Sequence, residues 1–426
     1  MNTKKKFTVI IHTGNSARLL KRTMDSLIRQ SVGFSENIQV ILYTEGASSQ
    51  AMAKMCAGYR SKYSGNITVQ ETLDLSVADG TYINYLQEGQ NWHKDAFAQA
   101  LELFCRRTEE ITVVEELYEE PEDGEEFENH VTHIKNHVEK VQQEPGKYLF
   151  DSRYRKLVEQ IIAAKKKLES DYFLIQILFE AGNIGILKLV KLYGKYVQYP
   201  AKTRDWYLKS LPDFQIALKE LKEQKYKEYA LNLDFLLMYH ISESLKDDIS
   251  GVLEGEALDR YKAWLKETLA GLDDYVIARG KMNGATRRYA FSLKYGIEVV
   301  DEMSFHGGKF LFHNLVFYNL GRSVCFQLTG EERAQQGSKV IGISKHPFPI
   351  ERVGFFLTDG CGAEYPFRET GKEGPGRKCL DMPVIREMEY ECLLPAGVKK
   401  EDLTLMYRYD GRYIGEVTAE NSGKGR

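Results

Sequence analysis

The fold class predicted is α/β: a doubly wound, mostly parallel sheet, followed by a helical segment and a C-terminal β-sandwich, on three observations. In the first hundred residues, short apolar runs alternate with segments of helical period. From Arg153 to about Ile277 the period is helical, interrupted only by Pro200 and Pro212. Beyond Arg279-Gly280 the texture becomes a series of Tyr-, Phe-, Val- and Ile-rich stretches separated by glycine-containing turns. The boundaries expected are 1–200 for the sheet domain, 201–280 for the helices and 281–426 for the sandwich.

Each element has its own reason. Residues 7–11 (FTVII) are apolar and β-branched, as a strand covered on both faces must be. Ser16 is an N-cap, and Leu20, Met24, Leu27 and Ile28 recur at helical spacing behind it. Ile38 to Tyr43 is a second strand, and Met52, Met55, Cys56 and Tyr59 mark a second helix. A third strand near Ile67–Gln70, a fourth over Tyr82–Leu86 and a helix through Phe97, Ala100, Leu101 and Phe104 complete the alternation, which favours parallel pairing. Residues 109–128 carry eleven Asp or Glu and no Lys or Arg, and are read as a solvated loop or partly disordered excursion. Trp206–Leu221, Leu231–Leu245 and Leu258–Ile277 read as three packed helices, and residues 288–300 and 309–329 as the first strands of the sandwich.

With 58 Lys and Arg against 61 Asp and Glu, the net charge of −3 gives no global case for nucleic acid or an anionic membrane. Six scattered cysteines without a CxxC fit reduced thiols better than a disulfide framework or a zinc site. No run approaches the 18 or so apolar residues of a membrane span. The expectation is a soluble, cytoplasmic protein.

Val9-Ile10-Ile11 with Asn15, Ser26-Leu27-Ile28-Arg29-Gln30-Ser31, Asn37-Ile38-Gln39-Val40-Ile41-Leu42 and, most specifically, Gly80-Thr81-Tyr82-Ile83-Asn84-Tyr85-Leu86 followed by Trp92 and Lys94-Asp95-Ala96-Phe97 are the residues that carry a resemblance. Over residues 7–107, and more weakly over 168–250 with Asp205-Trp206-Tyr207, the chain resembles the inverting GT-A glycosyltransferases called family two. The likeness is greatest to bacterial members that build cell-surface polysaccharides and teichoic-acid-like polymers. It implies sugar transfer from a nucleotide donor to a glycan acceptor. The resemblance places Asn15, Thr44, Glu45 and Glu88 at the nucleotide, Trp92 at the acceptor, and Glu169 or Asp171 at the general base.

Departures from the family pattern fall on the chemistry. The paired aspartates that end the family's second strand are replaced by Thr44 and Glu45. The family's Asp-x-Asp, which holds Mn²⁺ or Mg²⁺ against the diphosphate, reads Gln87-Glu88-Gly89, so a metal is expected only if Glu88 retains a site. The Glu-Asp pair that supplies the base reads Glu169-Ser170-Asp171; Asp171 is one residue out of register, about 100° around a helix. The basic and aromatic motif that follows in the family is not recognisable around Tyr193–Tyr199. Two functions stay open: a transferase impaired in metal-dependent catalysis, and a non-catalytic pseudo-glycosyltransferase that binds a glycan, a nucleotide or a working transferase subunit; the protein partners expected are a second copy, as a homo-oligomer, or an active transferase. His130, His133 and His137 would line one helical face at a spacing able to take Zn²⁺, but read as a solvated face. Gly307-Gly308 reads as a tight hairpin turn.

Overall fold

The computed structural model describes residues 4–44, 49–106, 110–116, 128–137, 144–188, 192–194, 202–246, 249, 251–334, 337–346, 352–380 and 382–417. The chain divides into two compact units, Met1–Leu236 and Leu237–Arg426.

The first unit is built on an eight-stranded sheet. β1 (Phe7–Thr13), β2 (Ile38–Thr44), β3 (Ile67–Gln70) and β4 (Tyr82–Gln87) form its parallel half, in the spatial order β3-β2-β1-β4. Helices α1 (Ala17–Ile28), α2 (Phe34–Asn37), α3 (Gln50–Lys62) and α4 (Ala96–Phe104) alternate with these strands. Ser16 caps α1 by accepting from the Leu19 N–H, and Ser49 caps α3 by accepting from the Met52 N–H. The apolar stripe of α1, Leu20, Met24 and Leu27, is wholly buried in one core with Val9, Ile11, Val40 and Leu42. The expected strand–helix alternation is present over this stretch.

One polar staple ties the parallel half together. Thr8 Oγ1 donates to Gln39 Oε1 (2.7 Å) and accepts from the Gly80 N–H (2.8 Å), while Gln39 Nε2 donates to Val77 O (2.8 Å). A Cβ on residue 80 would come within 2.3 Å of the Thr8 amide nitrogen, so only glycine lets the chain enter β4 this close to β1.

The other half of the sheet is mixed. β6 (Val113–Glu116), β7 (His130–His133), β8 (Tyr148–Asp151) and β9 (Asn183–Leu187) extend the order as β4-β8-β6-β9-β7, and β8 is antiparallel to both its neighbours. A separate ribbon pairs β5 (Asn91–Trp92) with β10 (Leu192–Tyr193). Asn84 secures the seam between the halves: its Nδ2 donates to Gly146 O (3.1 Å) and Tyr148 O (2.7 Å), and its Oδ1 accepts from Trp92 Nε1 (3.1 Å). Helices α5 (Arg155–Ala163), α6 (Lys167–Ala181) and α7 (Leu211–Gln224) follow, with a five-residue π-helical turn, Trp206–Ser210, leading into α7.

Helix α8 (Ala230–Ser244) crosses from the first unit into the second. The second unit continues with α9 (Glu256–Ala270), α10 (Asp274–Arg279) and α11 (Gly284–Tyr295), then antiparallel sheets. One sheet orders strands Phe326–Ala334, Gly337–His346, Met382–Pro395 and Arg368–Glu373, and another orders Glu364–Pro366, Val353–Thr358, Thr404–Tyr409 and Tyr413–Glu416. Phe326 of the first lies 4.2 Å, centroid to centroid, from Phe355 of the second, an aromatic core between facing sheets. Gly307 and Gly308 sit at φ 55 and 78 between antiparallel strands, the hairpin turn expected of them.

Three expectations are corrected. Within the acidic stretch 109–128, residues 113–116 are not loop but a buried strand, β6, because Val113 and Val114 supply an apolar anchor on both faces. The His130–His133 segment is a strand, β7, in which positions three apart point to opposite faces, so the histidines do not share a helical face. Residues 284–295 are helix α11, not strand. Asn283 caps it by accepting from the Thr286 N–H, Gly296 closes it at φ 68, and these local signals override the aromatic texture. Among the described residues no helix is long and apolar enough to cross a membrane.

Candidate functional site

In a doubly wound sheet, ligands bind beyond the carboxyl ends of the parallel strands, where helices turn away in opposite directions. Here that edge is formed by the ends of β2, β1 and β4. The register sets Thr13 beside Thr44 and His12 beside Gln87, with the His12 and Tyr43 rings stacked 5.3 Å apart. Asn15 is exposed two residues past β1, so the structure gathers Asn15, Thr44 and Glu88 at one edge. Thr44 is buried, and its hydroxyl donates to Gln70 O (3.2 Å). Glu45 lies outside the described residues.

The turn after β4 decides what this edge can hold. Gln87 N–H donates to Gln90 Oε1 (2.8 Å), and Gly89, at φ 91, donates its N–H to Thr23 Oγ1 (2.8 Å). Glu88 folds back over Gly14, and both its oxygens accept from the Ser16 N–H, at 3.1 and 3.3 Å. The carboxylate thus satisfies an orphan amide at the start of α1, where the helix dipole favours negative charge. Mn²⁺ or Mg²⁺ bound through a diphosphate needs several oxygen donors facing one point. Gln87 contributes an uncharged amide, Gly89 no side chain, and the Glu88 carboxylate is engaged by Ser16, so these residues do not fit a divalent cation. Among the described residues no group of three or more His, Cys, Asp or Glu gathers to hold a metal.

Trp92 is 2% exposed, its ring edge-on to Phe97 and its Nε1 bonded to Asn84. Its ring packs in the core of the first unit.

Glu169 and Asp171 lie on a different element, α6, and diverge from one another. Asp171 is 2% exposed and paired with Lys167 Nζ at 3.0 and 3.2 Å. Ser170 is buried, its hydroxyl without a hydrogen-bond partner among the described residues. Glu169 is exposed and lines a cavity of about 370 Å³ with Tyr172, Phe173, Asp205, Lys209 and Asp213. The π-helical turn contributes Lys209 to that wall; such turns recur where a helix is re-aimed for function.

Two groupings escape the sequence reading. On β6, Glu115 and Glu116 are 3% and 1% exposed. Burial pushes the Glu115 carboxyl up to about 8 against the opposing pull of Lys147. Burial also raises Glu116, whose carboxylate stands 3.6 Å from Lys147 Nζ, too far for a hydrogen bond. A run of eleven acids conceals this, because charge in sequence ordinarily means solvent. The second grouping is basic: Arg18, Lys21, Arg22 and Arg29 lie along one face of α1, a stripe that their spacing alone would have revealed.

No family model matches the chain. It is similar to the minor teichoic acid biosynthesis protein GgaB of Bacillus subtilis (strain 168), 24% identical over 334 residues, covering 68% of this chain and 35% of that protein. It is also similar to the minor teichoic acid biosynthesis protein GgaA of the same organism, 27% identical over 111 residues, 23% of this chain and 25% of that protein. The matched regions span about a third and a quarter of the lengths of these curated relatives. Among solved structures it is similar to S. aureus TarS, with a TM-score of 0.49 and 13% identity over 97% of this chain and 77% of that one. A second match is TarS in complex with UDP-GlcNAc, with a TM-score of 0.49 and 14% identity over 72% of this chain and 95% of that one.

Proposed function

We propose that this chain is a glycosyltransferase-like part of the machinery that makes a teichoic-acid-type cell-surface polymer, with sugar transfer from a nucleotide donor impaired in its metal-dependent step. The observation that carries the reading is the similarity to the teichoic acid biosynthesis protein GgaB over 334 residues. The sugar-nucleotide would enter the crevice at the ends of β1, β2 and β4, between Asn15, Thr44 and the 87–90 turn. Glu169 is the best-placed base: it is exposed on a cavity wall, whereas Asp171 is held by Lys167 and Ser170 carries no base.

A second reading, a non-catalytic subunit that binds a glycan or an active transferase, draws on a specific feature. The one carboxylate left in the 87–90 turn is engaged by the Ser16 N–H, as a structural cap would be. One experiment separates the two. The chain is incubated with UDP-, GDP- and CDP-sugars and a teichoic acid acceptor, with and without Mn²⁺, and nucleoside diphosphate release is followed. Turnover lost in Glu169→Gln supports the transferase. Nucleotide-sugar binding without turnover supports the subunit, and neither binding nor turnover with any donor refutes the donor site.

A further inference from the structure

The basic face of α1 is part of a groove. It is about 670 Å³ in volume, lies wholly within the first unit, and is walled by α1 on one side and by the β5–β10 ribbon on the other. Five permanent cations line it, Arg18, Lys21, Arg22, Arg29 and Lys94, against one acid, Asp25. A chain of net charge −3 therefore concentrates a local excess of four positive charges here. Lys21 is paired with Asp25 at 2.5 Å; the other four have no ion-pair partner among the described residues, and all five are exposed.

Structural need does not explain this arrangement. The opposite stripe of α1, Leu20, Met24 and Leu27, already anchors the helix in the core. Helix dipoles also disfavour cations in the first turn, where Arg18 sits, so the local field opposes one member of the cluster. From Arg18 to Arg29 the cations run about 16 Å along the helix, a row and not a point. A row suits a chain of anions better than a single phosphate.

We infer that this groove binds a phosphodiester polymer by its backbone charges, holding the acceptor chain of the proposed polymer-synthesis function beside the strand-end crevice. The inference rests on that functional reading for the identity of the polymer. Single-stranded nucleic acid is the competing polyanion, and binding it takes aromatic faces on which bases stack. Here the Trp92 ring is in the core, and among the described groove residues Tyr193, 43% exposed, is the one exposed phenol or indole ring. The groove therefore offers charge without a stacking row, which suits a polymer that carries no bases.

The test uses the full chain and a synthetic poly(glycerol phosphate) of defined length, with neutral dextran and oligo-dT of equal charge as controls, by titration at 50 to 300 mM salt. Poly(glycerol phosphate) is expected to bind more tightly than oligo-dT, dextran not to bind, and affinity to fall steeply with salt as counterions are released. The triple variant Arg18→Glu, Arg22→Glu and Arg29→Glu is expected to lose at least tenfold in affinity and to show a shallower salt dependence. Its melting temperature, unchanged because all three side chains are exposed, shows that it folds. Lys54→Glu with Lys156→Glu and Lys219→Glu, exposed side chains on helices of the same unit that do not line the groove, matches the change in net charge and should bind as the parent does. No binding by the parent, equal binding by the triple variant, an equal loss in the control, or tighter binding of oligo-dT overturns the proposal. Nucleotide-sugar binding, read separately by thermal shift, reports on the transferase reading alone. Its failure leaves a groove that binds polymer; loss of polymer binding with nucleotide binding intact removes the groove only.

Discussion

The two halves of the N-terminal sheet handle polar groups in opposite ways. In the parallel half, the buried polar side chains Thr8, Gln39 and Asn84 are neutral and hydrogen-bonded to backbone or to each other. In the mixed half, β6 carries two buried carboxyls, and Glu115 Oε1 and both oxygens of Glu116 have no hydrogen-bond partner among the described residues. A satisfied neutral group contributes the same at every pH, whereas a desolvated acid ties stability to its protonation. The parallel half is thus a fixed scaffold, and the mixed half is where solution conditions act. In the turn after β4 the Glu88 carboxylate is engaged by the Ser16 N–H, whereas two strands away β6 buries carboxyl oxygens with no such donor among the described residues.

The largest effect is expected at the seam between the two halves. Asn84→Ala removes three hydrogen bonds at once and strands the Trp92 Nε1–H and two carbonyls in the core. A loss of about 3 kcal/mol or more is expected in urea unfolding; a change under 1 kcal/mol would mean the halves are not joined there.

Next in size is a pH effect confined to the mixed half. The folded state keeps the Glu115 proton up to about pH 8, against 4.5 for the free carboxyl, so between those values it binds more protons than the unfolded chain. Stability therefore falls as pH rises through that window, by at most roughly 1.4 kcal/mol per unit. In Glu115→Gln the melting temperature should vary less between pH 5 and 8 than in the parent, with the difference growing towards pH 8. Parallel curves would show that Glu115 titrates normally.

Smaller again is the cap. Glu88→Ala frees the Ser16 N–H and should cost about 1 kcal/mol, measured by the same unfolding curves. Stability unchanged, together with loss of Mn²⁺-dependent nucleotide binding, would identify Glu88 as a metal ligand instead. The smallest effect expected is none: Mn²⁺ should add nothing to the thermal shift that UDP produces. A ligand at 100 times its Kd raises stability by about 2.7 kcal/mol, so a metal-dependent site would be plain in that titration.

Legibility follows the same division. β1, β2 and β4 declare themselves because strands covered on both faces are continuous apolar runs, and α1 because its cap and stripe agree. β6 and β7 do not, since Glu115-Glu116 and His130-His133 look like solvent-facing residues and only their tertiary surroundings bury or pair them. At the site, the residue types at Thr44, Gln87 and Gly89 are readable from position alone. What Glu88 does instead is not, because it depends on how near α1 approaches β4. The residues of Glu169-Ser170-Asp171 are likewise legible, but their separation into an exposed, a buried and a paired side chain is set by packing against neighbouring elements.

The antiparallel strand β8 carries a consequence for how the chain is made. β1 to β4 can pair among themselves once Gln87 is in place, but among the described residues the free edge of β4 is covered by β8, whose last residue is Asp151. At a ribosome adding about 5–20 residues per second, the roughly sixty residues between them leave that edge open for about 3 to 12 seconds. For that interval Tyr82, Ile83 and Asn84 present unpaired backbone groups on an apolar strand, the kind of template on which a neighbouring nascent chain can pair. The intervening segment, so rich in Asp and Glu, is the part of the chain emerging during that interval, and its like charges repel another copy of itself.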